Sequence, residues 1–213
     1  MVVNTNLESG QKEKQADCSF KSCFIDGIRE FEIQDLDEVY EIYCYYVDHS
    51  NYNLDLTPES KETFLNSIVS NPDFPFLVAE YDGKIIGYGT AHHYRPKAGY
   101  QHTAELTIYF EPSNHHGLSH ALADTLTNIL RMQNVRQEIG CITASNKPSI
   151  AMGLRRGFKE YGRLKDAAIK AGEFCDVVWM SRVIQNGDAQ KASDLKDFIP
   201  YSVLKSYSGK TLN

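Results

Sequence analysis

A strand-like run, Glu105-Leu106-Thr107-Ile108-Tyr109-Phe110, is closed by Pro112. It is followed by Asn114-His115-His116-Gly117-Leu118-Ser119 and then by a helix-like run from His120-Ala121-Leu122 to Met132. A strand that stops, a short glycine turn and a helix that starts at once leave little freedom. The N–H groups of the turn and the first helical turn have no partner inside the helix and carry the positive end of its dipole. The same unit is therefore an anion site, suited to phosphate or diphosphate. Gly117 permits close backbone approach, and Ser119 is small and a donor. Turns of this kind also arise for structural reasons alone, so the rest of the chain has to decide.

Around this unit the pattern alternates. Ile28 to Ile33 reads as a strand, and Asp35 as the cap of a helix with Leu36, Val39, Tyr40, Tyr43 and Val47 at helical spacing. Thr57-Pro58-Glu59 reads as a second helix start, with Phe64, Leu65 and Ile68 as its apolar face. Phe74 to Tyr81 and Lys84 to His93 read as strands joined by the hairpin signal Asp82-Gly83. Gln101 to Glu111 is the next strand, and the long helix follows. A strand from Glu138 to Ala144, a helix from Pro148 to Arg155, a strand from Phe158 and a last strand from Phe174 to Ile184 complete the body. The class is mixed α/β (α+β): an antiparallel meander, then strand-helix-strand units. A loose polar extension is expected over residues 1–26, one domain over 27–184 and a C-terminal extension over 185–213. In the last, Phe198, Ile199, Tyr201, Val203 and Leu204 could dock a short element.

Composition excludes some partners. A net charge of −6 over 213 residues, with no basic run, argues against nucleic acid or an anionic membrane as the partner. No apolar stretch is long enough to span a bilayer, and Met1 to Gln15 lacks the apolar block of a secretory signal. Cys18, Cys23, Cys44, Cys141 and Cys175 are odd in number and scattered, as reduced thiols of a cytoplasmic protein are.

Four ordered blocks resemble one family. They are the strand-turn-helix with Gly117; Tyr94-Arg95-Pro96-Lys97-Ala98-Gly99-Tyr100-Gln101-His102-Thr103-Ala104-Glu105; Asn146-Lys147-Pro148-Ser149-Ile150-Ala151 with Gly157-Phe158; and Gly162-Arg163-Leu164 with Gly172, Phe174 and Asp176-Val177. Together they resemble the GNAT superfamily of acyl-CoA-dependent N-acetyltransferases, in the branch similar to phosphinothricin N-acetyltransferase. The resemblance spans Ile28 to Ile184. It implies a splayed mixed sheet of about seven strands flanked by helices, acetyl-CoA as co-substrate, direct transfer of the acetyl group to a small amine (an amino acid or analogue), and a possible homodimer. The loop departs from the family's Arg/Gln-x-x-Gly-x-Gly/Ala pattern, with Asn114 and Ser119 at its ends, so fixed charge at the diphosphate is expected to be missing.

The resemblance also implies roles. The pantetheine arm would add to the strand at Ile108, Tyr109 and Phe110, pairing with the main chain of Ile108 and Phe110. The diphosphate would rest on the loop Asn114, His115, His116, Gly117, Leu118 and Ser119, with amides from His116 to Ser119 as donors, and Asn146 would bond the arm or cap its helix. Glu105 is the expected base, because a primary ammonium must lose a proton before it attacks; its alternative is a cross-strand ion pair. Arg95, Lys97, Tyr100 and His102 form a cationic, aromatic approach suited to an anionic acceptor, or else a solvated loop. Tyr40, Tyr43, Tyr45, Tyr46 and Tyr52 line the acceptor pocket or pack the core. Gly153 stands where many relatives place a tyrosine to protonate the leaving thiolate. No metal is expected, since His116 and His120, four apart, have no supporting carboxylate or cysteine. The eroded loop and Gly153 leave room for a second reading, an acyl-CoA-binding sensor or interaction domain with little or no turnover. A third is acetylation of a protein amino terminus.

Overall fold

The computed structural model describes residues 20–113, 115–185 and 191–207. Strands β1 (Ile28–Glu30), β2 (Phe76–Tyr81), β3 (Lys84–His93), β4 (Thr103–Phe110), β5 (Gln137–Thr143), β6 (Lys159–Lys170) and β7 (Glu173–Val183) form one sheet in the order β1-β2-β3-β4-β5-β7-β6. Helices α1 (Leu36–His49), α2 (Lys61–Val69), α3 (Leu118–Met132), α4 (Lys147–Arg155) and α5 (Tyr201–Tyr207) accompany it. Neighbouring strands are antiparallel except β4 and β5. The β2–β3 turn is the expected hairpin, with Asp82 and Gly83 at φ 50° and 75°.

Both sheet faces are covered. On one, Leu122, Leu126, Ile129 and Leu130 of α3 pack on Leu77, Ala104 and Phe110. Each such buried side chain contributes roughly 1.5–3 kcal/mol. On the other, Val39, Tyr43 and Val47 of α1 and Phe64 of α2 pack on Val78 and Tyr88. Gly87 sits opposite Phe110 in the β3–β4 register, and a Cβ there would lie 2.5 Å from the Phe110 ring. The missing side chain is what lets that ring lie across the strand.

Several boundaries differ from the sequence reading. Strand β1 ends at Glu30, and Ile33–Asp35 is a 3-10 turn. Asp35 does not cap α1 with its side chain. Its carboxylate takes both terminal nitrogens of Arg29, at 2.7 and 2.8 Å, and the Glu32 N–H at 2.7 Å. Helix α2 starts at Lys61, capped by Ser60, rather than at Pro58. The Glu59 backbone is held by two α1 tyrosines: its carbonyl accepts from Tyr40 Oη (2.6 Å), and its N–H donates to Tyr43 Oη (3.2 Å). The helix therefore begins three residues later than Pro58. Residues 98–100 form a 3-10 turn, so β4 begins at Thr103 and not at Gln101.

The domain also reaches past its expected ends. Cys23 is buried with its sulfur against Met132, and Phe20 and Phe24 pack on the α3-side core. Cys18 lies outside the described residues. The C-terminal segment docks as expected: Tyr201 and Leu204 are buried, and Phe198 and Ile199 pack beside them. The Tyr201 hydroxyl donates to Glu30 Oε1 at 2.7 Å.

Behind the sheet, fully buried Glu138 of β5 accepts from Arg182 Nε of β7 at 2.5 Å and from Thr127 Oγ1 of α3 at 2.8 Å. Arg182 also donates to the Arg156 carbonyl at 2.7 Å and lies over the Phe158 ring at 4.8 Å. This network joins α3, β5, β7 and the end of α4.

Burial works to raise the Asp35 pKa, but the Arg29 fork and the Glu32 N–H outweigh it, holding the carboxyl below its ordinary 3.8. A carboxylate depressed in the folded state contributes stability that is present above the unfolded pKa and lost as pH falls through the folded one. Asp35→Asn should therefore lower stability at neutral pH by about 2 kcal/mol. It should also flatten the loss of stability below about pH 4. Urea melts at pH 7 and pH 3 check this, and equal destabilisation at both would refute it.

Candidate active site

Pairing between β4 and β5 covers Thr103↔Gln137, Ala104↔Glu138 and Glu105↔Ile139, and stops there. Beyond Glu105 the strands part, and a cleft of about 1050 Å³ opens between them. The phase of the β3–β4 ladder follows from two bonds, Glu111 N–H to the Ile86 carbonyl (2.8 Å) and Tyr94 N–H to the Thr103 carbonyl (3.2 Å). Antiparallel pairing alternates, so Glu105, Thr107 and Tyr109 turn their main chain to β3. Leu106, Ile108 and Phe110 turn theirs to the side that β5 has left. An extended chain can add there as a strand would.

The expected arm-binding residues thus divide. The main chain of Ile108 faces the cleft. Phe110 does too, but its carbonyl already accepts from Tyr46 Oη at 2.7 Å. Tyr109 has its main chain on β3, so its part is its ring, packed 4.8 Å from Tyr46 and 5.7 Å from Tyr88. Burial and then Asp55 push its phenol up to about 12, so it stays protonated.

At the outer end of the cleft the loop meets α3. Gly117 is the residue before the helix at φ 78°, a left-handed conformation that glycine takes without strain. His116 also has positive φ (45°), and its ring stacks on Tyr81 with centroids 3.7 Å apart. Leu118 N–H donates to the His115 carbonyl at 2.7 Å, so this amide, expected to hold diphosphate, is used inside the turn. His115, Ser119 and His120 line the cleft. Asn114 falls outside the described residues. Sequence reasoning missed Arg155 and Arg156, the lining cations contributed by the far end of α4. Arg156 is paired with Asp124 at 2.8 Å, and Arg155 is exposed. Their signal was hidden because α4 had to be packed before its last turn could be seen to face α3. Asn146 caps α4, accepting from Ser149 N–H at 3.1 Å, and also lines the cleft.

Glu105 stands where the strands divide, its side chain 19% exposed and 3.9 Å from His92 Nε2. Cys141 follows Ile139 on the same face of β5, and its thiol is pushed up to about 11 by burial and then by Glu105. It is therefore a neutral wall rather than a nucleophile. Tyr161 and Tyr94 join hydroxyls at 3.3 Å, and Arg95 lies over the Tyr94 ring at 4.2 Å.

The cationic approach is not assembled as expected. Arg95 and Lys97 line a separate hollow of about 260 Å³ with Asp73, His93 and Phe198, although Arg95 is close enough to act on the Cys141 thiol. Tyr100 is exposed and packs edge-on against Tyr94. His102 Nδ1 bonds the Asn134 carbonyl at 2.9 Å, at the opposite end of β4. The β3–β4 connection turns through Ala98–Tyr100, which scatters residues that alternation alone would align.

The first-helix tyrosines divide likewise. Tyr45, Tyr46 and Tyr52 line the cleft, together with Asn51, Asn53 and Asp55. Tyr43 is core, and Tyr40 packs beside it. At Gly153 an added Cβ would approach Met180 Sδ to 3.3 Å, so the small residue goes with a bulky neighbour and supplies no donor. No group of three or more His, Cys, Asp or Glu that could hold a metal occurs among the described residues.

Comparison with known proteins agrees with this geometry. The model of the acetyltransferase (GNAT) domain matches residues 28–179. The phosphinothricin N-acetyltransferase of Alcaligenes faecalis is 30% identical over 171 residues, covering 78% of this chain and 85% of that protein. The L-methionine sulfoximine/L-methionine sulfone acetyltransferase of Pseudomonas aeruginosa is 28% identical over 109 residues, 50% of this chain and 63% of that protein. A phosphinothricin acetyltransferase from Sinorhizobium meliloti, solved with acetyl-CoA, superposes with a TM-score of 0.74 at 27% identity, covering 83% of this chain and 97% of that one.

Proposed function

This chain belongs to the GNAT acetyltransferase family, and on that premise we propose that it acetylates the amine of a small, amino-acid-like acceptor with Glu105 as the base. The protein is an acetyl-CoA-dependent N-acetyltransferase. The observation that carries the finer reading is the open β4 edge, Leu106 to Phe110, ending at Glu105. The edge orients a pantetheine arm as an added strand, which sets the thioester beside the carboxylate. The acceptor nitrogen, once one proton passes to Glu105 directly or through water, bonds the acetyl carbon; as the carbon–sulfur bond breaks, the nitrogen sheds its second proton to water or to the departed thiolate. Gly153 offers the sulfur no proton, and a thiolate of ordinary pKa about 8.5 leaves without one.

Phosphinothricin and L-methionine sulfone are the acceptors to try, followed through free thiol released from acetyl-CoA. Release with neither, nor with any amino acid, would sink the reading.

Arg155, exposed at the cleft rim, supplies charge to the coenzyme phosphates that the loop lacks. Arg155→Ala should weaken acetyl-CoA binding about fivefold at low salt, and less at high salt. Calorimetry at two ionic strengths checks this; equal affinity in both proteins would refute it.

A homodimer fits the outer hairpin, where Tyr161, Leu164, Ile169 and Phe174 are exposed, Phe174 to 69%. Sedimentation should return the mass of two chains, and a monomer at every concentration would overturn it. Among the described residues Cys44, Cys141 and Cys175 are in no disulfide, as suits the cytoplasm. No helix among the described residues is long and apolar enough to cross a membrane.

A further inference from the structure

Building on the acceptor class given above, we infer that the acceptor arm of the cleft selects an amine whose side chain carries a positive charge, with Asp55 as the specificity-determining carboxylate and Tyr46, Tyr52 and Tyr109 as aromatic walls.

Among the described residues the charges there sum to negative, Asp55 and Asp48 against the one cation Lys170. The Asp55 carboxylate lies in the cleft lining and is exposed, and Tyr43 Oη steadies it at 2.9 Å through one oxygen. A carboxylate accepts at both oxygens, so this bond leaves capacity for a ligand. Among the described residues the lysines and arginines that line the cleft are Arg155 and Arg156, both at the coenzyme end. The nearest lysine to the arm is Lys170, which donates to the Asn53 carbonyl at 2.5 Å. Burial lowers its pKa, and its charge offsets one of the two carboxylates, Asp55 and Asp48, that act on it. Asp48 also acts on Lys170 and adds a further negative charge. Lys97 belongs to the separate hollow and cannot balance them.

The walls suit the same guest. Tyr46 packs 4.8 Å from Tyr109 and 6.3 Å from Tyr52, presenting several rings to one arm of the cleft. Ring faces attract cations and give an anion nothing. An acidic side chain would bring a third negative charge beside Asp55 and Asp48 and would lose its water with no partner in return. Glu105 and Tyr109 lie four residues apart on β4, which spans roughly 13 Å. The charge on the acceptor therefore has to stand several bonds from its reacting amine, as a guanidinium on a three-carbon stem does.

L-Arginine is the cleanest probe, since its guanidinium stays charged and its α-amine is its one acceptor. Thiol release should give a kcat/KM for L-arginine at least about fivefold above that for L-glutamate, with L-methionine sulfone between. Asp55→Asn should cut the L-arginine value about fivefold and the L-methionine sulfone value by clearly less. Tyr43→Phe should do the same more weakly by freeing the carboxylate. Preference for L-glutamate, or an Asp55→Asn loss equal for all three, would overturn the inference. Calorimetry on the protein saturated with coenzyme A separates it from the catalytic reading. Tighter uptake of L-arginine than L-glutamate without turnover keeps the cationic arm and defeats Glu105 catalysis; equal uptake of both defeats the arm itself.

Discussion

Glu105→Gln should lower kcat by about a hundred- to ten-thousandfold while leaving acetyl-CoA affinity as it is. The amide keeps the size and most of the contacts of the carboxylate but cannot take a proton at neutral pH. Glu105 sits at the last shared pair of β4 and β5, so it stands where an arm lying along β4 must end. Its main chain is committed to β3, whereas Leu106, Ile108 and Phe110 turn theirs to the cleft, where the coenzyme contacts are proposed. That division predicts a split readout, in which turnover collapses and calorimetric uptake of acetyl-CoA stays constant. If Glu105 only pairs with His92 across the strands, kcat would hold near the wild-type value and the base would have to be sought elsewhere. Binding of acetyl-CoA with no turnover in either protein would instead favour a sensor that keeps the scaffold alone.

Removing the partner of Glu138 should have the largest effect on stability. Arg182→Met leaves a fully buried carboxylate with Thr127 as its remaining donor. Stranding a buried charge costs about 3–5 kcal/mol. For a domain of this size that is a fall of about 10 °C or more in Tm. The damage should spread to the cleft, because Arg182 also holds the Arg156 carbonyl at the end of α4. Glu138→Leu with Arg182→Met should recover most of the loss, since a well-packed apolar pair of similar volume can replace a buried ion pair. Thermal melts of the three variants decide it. A single Arg182→Met change within about 1 kcal/mol of wild type would show that Glu138 is not stranded.

The fold was legible where local chemistry and tertiary packing agree. Alternation and Asp82-Gly83 fixed the β2–β3 hairpin, and Gly117 fixed the start of α3 to within a few residues. Sequence spacing fails where a distant group takes over a local one. Asp35 reads as a cap until Arg29 is known to face it, and Pro58 reads as a helix start until Tyr40 and Tyr43 seize the Glu59 backbone. The cleft was half legible. Glu105, Ile108, Asn146 and the Gly117 turn lie in consecutive motifs, and the sheet brings them together. His102 and Lys97 share a motif with Glu105 yet diverge, because a 3-10 turn breaks the alternation. Asp55, Cys141 and Arg155 had no spacing to betray them; each reaches the cleft through a contact between elements far apart in sequence.

The segment Ser50–Asp55 is tied down from the far edge of the sheet. Lys170 of β6 holds the Asn53 carbonyl, Asn51 Nδ2 reaches Cys175 Sγ of β7 at 4.0 Å, and Ser145 Oγ donates to Asn51 Oδ1 at 2.9 Å. The outermost strands are the part of a sheet that frays most readily. The mouth that admits the amine thus borrows its rigidity from the least protected border of the molecule. Mild heat or denaturant would blur discrimination among amines while coenzyme uptake, proposed to lie on β4 and α3, persists.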